Sequence, residues 1–201
     1  MMQHETLTLW GEVVTDAPYP MSFEEFERLP DDGWHYELVR GRLIRMPPPG
    51  GQHAKIAAKL MAALLTYAEQ SNLGDVLGEM GFRLQIPGES KPIELEPDIS
   101  FVRTGRAPAP DSPEYPKAWS LAPDLTVEIA SPDQYRPEMA EKARQYLAAG
   151  VRIVWVLWPK RQQVDVWRAG YDIPIDTLAL NEALDGLEVL PGFSYPLSKL
   201  F

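Results

Sequence analysis

The sequence predicts an α/β domain with a strand-rich centre and at least two covering helices. Three patterns carry that expectation. "QHAKIAAKLMAALLTYAEQS" and "PEMAEKARQYLAAG" repeat apolar residues every three or four positions, the helical period. Between and around them lie short β-prone runs, and one of these, "VRIVWVLW", is continuously apolar, as in a strand buried on both faces. With 201 residues, 45% of them hydrophobic, the chain is long enough to bury a core without cross-links.

In chain order, residues 1–20 read as a variable leader, and residues 21–201 as a single domain, since no repeat, linker or low-complexity block divides them. "MSFEEFERLP" places Phe23 and Phe26 at helical spacing behind Ser22, an N-cap, and stops at Pro30. "HYELVRGRLIRM" reads as an N-terminal β-hairpin turning at Arg40-Gly41, with Gly41 supplying a positive φ. After "PPPGG" a helix is expected over residues 52–71, with Ile56, Leu60, Ala63, Leu64 and Tyr67 as its stripe; His53 lies on the same stripe one turn earlier. Strands follow at 76–80 and 82–86, then "IELEPDISFV", a Pro-rich connection, "DLTVEIA", a helix over 137–149 ended by Gly150, and "VRIVWVLW" paired with "QVDVWRA". The tail from Asp172 is expected to pack as an appendage on the same core.

Charge and composition narrow the function classes. There is no cysteine, so disulfides and thiolate zinc sites are excluded. The N-terminus has no basic start and no run of about eighteen apolar residues occurs, which leads us to expect a soluble, cytoplasmic protein without a membrane anchor. The net charge of −10 runs against a nucleic-acid partner, but seven of those charges sit in residues 1–34 and the remaining body carries only −3.

The chemistry concentrates in two β-prone segments. If "IELEPDISFV" alternates as one strand, Glu94, Glu96, Asp98 and Ser100 share a face, with Asp98 deepest in the apolar half. In "DLTVEIA" the alternation leaves Glu128 as the one interior charge. Neighbouring strands would bring both carboxylates to one side of the sheet, where their repulsion calls for a proton or a cation. A hard divalent ion such as Mg²⁺ or Mn²⁺ suits an all-oxygen set. Lys142, on the flank of the stripe Met139, Ala143, Tyr146 and Leu147, can snorkel outward or point along the sheet toward these acids.

The ordered set "YELVRGRLIRMPPPGGQHAKIAAKL", "EPDISFV", "PDLTVEIASP" and "EKARQYLAAGVRIVWVLWP" resembles the bacterial "putative restriction endonuclease" family (Uma2-type) of the PD-(D/E)XK nuclease superfamily. The resemblance runs from about Met21 to the C-terminus. It implies a restriction-endonuclease-like mixed β-sheet core flanked by helices, and a Mg²⁺-dependent or Mn²⁺-dependent endonuclease acting on DNA. By the same resemblance Pro97-Asp98 is the PD element, Glu128 the following acid, and Asp98, Glu128 and the Ile129 carbonyl the metal ligands. The superfamily's lysine two residues after that acid is replaced here by Ala130, and Lys142 stands as its displaced substitute. Glu37 matches a third acid, His53 is a candidate contact for water or phosphate, and Arg40 and Arg42 are candidates for backbone phosphates. Base specificity is expected to need an appended reader or a homo-oligomer, because no helix-turn-helix or zinc-finger pattern is present.

Each residue has a plainer alternative. Asp98 can cap a turn after Pro97, Glu128 can pair structurally with Lys142 or an arginine, and Lys142 can pair with Glu138 along its helix. Glu37 can pair with Arg40, Arg42 or Arg45 across the hairpin, and His53 can be a hydrogen-bonded core histidine. Two other functions stay open: an inactive nuclease-fold module that binds a protein or nucleic-acid partner, and a hydrolase of small phosphoesters.

Overall fold

The computed structural model describes residues 10–201, so residues 1–9 of the expected leader lie outside the described residues. In chain order the elements are β1 (Glu12–Val13), α1 (Phe23–Phe26), β2 (His35–Val39), β3 (Arg42–Met46), α2 (Gly51–Ser71), β4 (Gly74–Gly78), β5 (Phe82–Arg83), β6 (Glu94–Leu95), β7 (Ile99–Arg103) and β8 (Leu125–Ile129). They continue with α3 (Arg136–Ala148), β9 (Ile153–Trp158), β10 (Gln163–Arg168), β11 (Asp176–Leu178), β12 (Ala183–Asp185), β13 (Ser194–Pro196) and α4 (Leu197–Leu200).

A six-stranded mixed sheet, ordered β11-β10-β9-β8-β7-β4, forms the centre. β7 and β8 run antiparallel with Ile99 opposite Val127, while β8 and β9 run parallel, joined by α3 as the crossover helix that a parallel pair requires. β9 is buried at every position, which accounts for its unbroken apolar run. One face of this sheet packs on α2 through Ile56, Leu60, Leu64 and Ala68, and on the tail through Leu184, Leu190 and Phe193. The tail is therefore more than an appendage: β11 extends the sheet, and the remainder completes the core on the α2 side.

The other face shares a second core with α3 and with a five-stranded sheet ordered β1-β3-β2-β6-β5. The β2-β3 hairpin turns at Arg40 and Gly41 with φ of 50° and 73°, so the left-handed conformation expected of Gly41 extends to Arg40 as well. β1 pairs with β3, and Trp10 is buried against this core. Residues 10–13, assigned to a leader from the sequence, are thus structural.

"IELEPDISFV" is not one strand. Glu94 and Leu95 belong to the five-stranded sheet and Ile99–Arg103 to the six-stranded one, with Glu96-Pro97-Asp98 as the crossing between them. Pro97 has no N–H to offer a ladder, so the strand breaks there and the chain changes sheets. The single alternation expected across this segment fails for that reason: Ile93 and Leu95 enter one core, Ile99 and Phe101 the other, and Glu94 turns to Arg83 at 2.9 Å. Among the described residues no helix is long and apolar enough to cross a membrane.

Candidate active site

The crossing point sets the acids. Asp98 immediately precedes β7, and one position beyond the Ile99–Val127 pair puts it opposite Glu128 on β8. Asp98 Oδ2 accepts a hydrogen bond from the Ile129 N–H at 2.6 Å, a contact across strands and not a local turn. Its other oxygen, Oδ1, lies 3.1 Å from His53 Nε2 in the first turn of α2. Glu37 arrives from the five-stranded sheet, on the same side of β2 as Val39, and is fully buried. Lys142, from the middle of α3, fills the space between: its Nζ lies 2.8 Å from Glu128 Oε2 and 3.0 Å from Glu37 Oε1. The lysine therefore points along the sheet toward the acids. Its pairing with Glu138 does not occur, because Glu138 instead accepts the Tyr135 N–H at 2.9 Å in a helix-capping arrangement.

The two glutamates have further partners, while His53 Nδ1 is buried without one. Tyr146, one turn after Lys142, donates its hydroxyl to Glu128 Oε1 at 2.7 Å. Glu37 Oε1 accepts the Glu96 N–H at 2.8 Å, and Glu37 Oε2 accepts the Trp10 indole N–H. None of Arg40, Arg42 and Arg45 pairs with Glu37. Arg40 pairs with Glu89 at 3.0 Å, Arg42 stacks over Tyr19, and Arg45 pairs with Glu12 at 2.7 Å. Arg40 and Arg42 are not among the residues that line the cleft shared by His53, Asp98, Glu128, Ile129 and Lys142.

That cleft has a volume of about 300 Å³, and its acidic lining comprises Glu79, Glu96, Asp98, Glu128, Asp133 and Glu138. Lys142 is the sole lysine or arginine in its wall among the described residues, beside His35 and His53. Burial, reinforced by Asp98 and Glu37, pushes the Glu128 carboxyl up to about 8 against the pull of Lys142. Burial alone would lower Lys142, but Glu128 and Glu37 outweigh it and hold the ammonium above the ordinary lysine value. For His53 the same contest between burial and the Asp98 hydrogen bond ends in a raised value, helped by the charges of Asp98 and Glu79. Glu96 is raised by burial and by Glu37.

Among the described residues no three histidine or acidic side chains are gathered into a ready-made metal cage. What is present is an aspartate and a glutamate on adjacent strands, facing an open cleft in which acids outnumber bases. A Mg²⁺ ion usually takes one or two protein carboxylates and fills its other positions with water and phosphate oxygens, so the donor set fits such an ion. Ile129 lines this cleft, and its N–H donates to Asp98 Oδ2. Tyr146 and Trp10 were not singled out from the sequence. Tyr146 could have been: it stands four residues after Lys142, hence on the same face of α3.

A mixed sheet flanked by helices, carrying a hairpin-bearing second sheet against it, is a restriction-endonuclease-like fold. The profile of the Uma2 family, described as "Putative restriction endonuclease", matches residues 23–198, and the chain belongs to that family. The fold is also that of the crystal structure of a "putative nuclease belonging to DUF820" from Anabaena variabilis ATCC 29413. That chain is 23% identical, aligns with a TM-score of 0.76, and the match covers 90% of this chain and 98% of the other. No curated protein matches the chain.

Proposed function

We propose that this protein is a divalent-metal-dependent endonuclease that hydrolyses phosphodiester bonds of DNA. The observation that carries the reading is the convergence of Asp98 and Glu128 from adjacent strands on one cleft, with the Lys142 ammonium 2.8 Å from Glu128. The family description supports the substrate class. Asp98, Glu128 and the Ile129 carbonyl would hold Mg²⁺ or Mn²⁺. When bound, such an ion supplies charge neutralisation at the phosphate and activation of the hydrolytic water.

The chain's own groups do the rest. Lys142 is held as an ammonium by two buried carboxylates, so at neutral pH it acts as a hydrogen-bond donor to the phosphate or to water, and not as the proton acceptor. Glu37 fixes the direction of that ammonium from behind, and Tyr146 fixes the Glu128 carboxylate. His53 holds Asp98 by the oxygen not bound to Ile129. The test is nicking of supercoiled plasmid with Mg²⁺ or Mn²⁺ by wild type, Asp98→Asn and Glu128→Gln. Nicking by wild type that both substitutions abolish supports the reading, and metal-supplied wild type without nicking overturns it.

The acidic wall of the cleft favours a second reading, a hydrolase of small phosphoesters, because six acids repel a long polyanion more than a compact one. Rates that rise with DNA length and fall with salt separate the first reading from the second.

A further inference from the structure

Trp10 lies before the family-matched segment, which begins at residue 23, yet it is 3% exposed and forms part of the cleft wall. Its indole N–H donates to Glu37 Oε2. Its ring lies 5.3 Å from Lys142 Nζ, within the reach of a cation–π contact. An ammonium has three N–H donors. Lys142 has two carboxylates within 3.0 Å, which leaves one N–H for phosphate or water, and the Trp10 ring lies beside the ammonium.

The surrounding chain holds Trp10 in this place. β1 pairs Glu12 with Arg45 and Val13 with Ile44 on β3. Gly11 is pressed against β3 so closely that a Cβ there would meet Ile44 Cγ2 at 2.7 Å and the Arg45 carbonyl oxygen at 2.9 Å. The Trp10 carbonyl accepts from Gln134 Nε2 at 2.9 Å, and Gln134 Oε1 accepts the Ser131 N–H at 2.8 Å, which ties the segment to the loop after β8. Trp10 thus touches both members of the Glu37–Lys142 pair and the cleft-lining loop that follows Glu128.

We infer that Trp10 is a positioning residue of the site: its indole N–H anchors Glu37 and its ring covers the Lys142 ammonium, so that the direction of the lysine depends on an N-terminal segment outside the family match. The inference rests on the nuclease reading only for its effect on rate. A purely space-filling tryptophan would tolerate phenylalanine, which keeps an aromatic ring and lacks the N–H. A positioning one would not.

The test uses the full chain, with Trp10→Phe, Trp10→Leu and Glu37→Gln. In ¹⁵N-labelled wild type the Trp10 indole signal, identified by its loss in Trp10→Phe, is expected downfield of the indoles that lack a carboxylate partner, and Glu37→Gln is expected to move it back. In the plasmid assay Trp10→Phe is expected to lower kcat about ten-fold with KM within about two-fold, and Trp10→Leu to lower it further. Glu12→Gln, which breaks only the exposed pair with Arg45, is the control and keeps wild-type kcat. A folded Trp10→Phe with full kcat overturns the inference. Should wild type prove inactive, the nuclease reading fails by itself. The positioning inference is then decided by the indole signal, and a signal unmoved in Glu37→Gln overturns it.

Discussion

Replacing Lys142 with methionine removes the charge while keeping most of the side chain's length. The ammonium lies 2.8 Å from Glu128 and 3.0 Å from Glu37, with side-chain exposures of 4%, 6% and 0% for the three groups. Breaking a buried ion pair from one side costs about 3–5 kcal/mol, because the abandoned carboxylate stays desolvated without its counter-charge. Here two acids lose their partner, but Glu128, pushed up to about 8, holds a proton at neutral pH, so Glu37 is the carboxylate left without a counter-charge. That holds the expected loss at the lower end, about 3 kcal/mol. For a chain of this length each kcal/mol moves the melting midpoint by about 2–4 °C, so Lys142→Met is expected to melt roughly 6–12 °C below wild type at neutral pH. The assay is thermal unfolding by circular dichroism. Adding Glu37→Gln to Lys142→Met is expected to recover part of the deficit. A Lys142→Met variant melting within about 2 °C of wild type would refute the reasoning, since the ammonium could not then be what holds the acids together.

Glu128 gives a pH prediction of definite sign. Its folded value of about 8 lies above its ordinary 4.5, so the folded chain retains a proton that the unfolded chain has released. The stabilisation is complete below about pH 4.5 and is lost as the pH rises toward 8. Glu128→Gln is expected to flatten the stability curve across that window, measured by denaturant midpoints at successive pH values. Arg40→Ala and Arg42→Ala are expected to leave plasmid nicking within about two-fold and its salt dependence unchanged, because neither lines the cleft. Gly74 has φ of +149°, and a Cβ there would sit 2.1 Å from the Val102 carbonyl oxygen. Gly74→Ala is therefore expected to cost at least about 1–3 kcal/mol, seen as a lower denaturant midpoint with the slope preserved.

Local periodicity made α2, α3, the β2-β3 hairpin and β9 readable, because each is dictated by which face of an element is apolar. Glu128 and Lys142 were readable for a related reason: charges at interior positions of apolar segments must find partners, and these two find each other, while Asp98 turns to His53 and the Ile129 N–H. Pairing between distant elements was not readable. Nothing within "IELEPDISFV" states that Glu94 and Ser100 belong to different sheets, although Pro97 marks the place where a ladder must stop. Glu37 offered nearby arginines as partners. Its actual neighbours, Lys142 and Trp10, come from α3 and from residues taken for a leader, and three-dimensional packing alone brings them together. The one sequence hint was the tryptophan that opens the β-prone "WGEVV" in an otherwise acidic segment.

The central claim is that Asp98 and Glu128 share a divalent cation. Calorimetric titration of Mn²⁺ and Mg²⁺ into wild type and Asp98→Asn, both verified as folded, tests it most directly. The account predicts saturable binding by wild type, with proton uptake by the buffer that grows below pH 8 as Glu128 is forced to ionise, and loss of that binding in Asp98→Asn. Folded wild type that binds neither ion, or binding unchanged by Asp98→Asn, would contradict it.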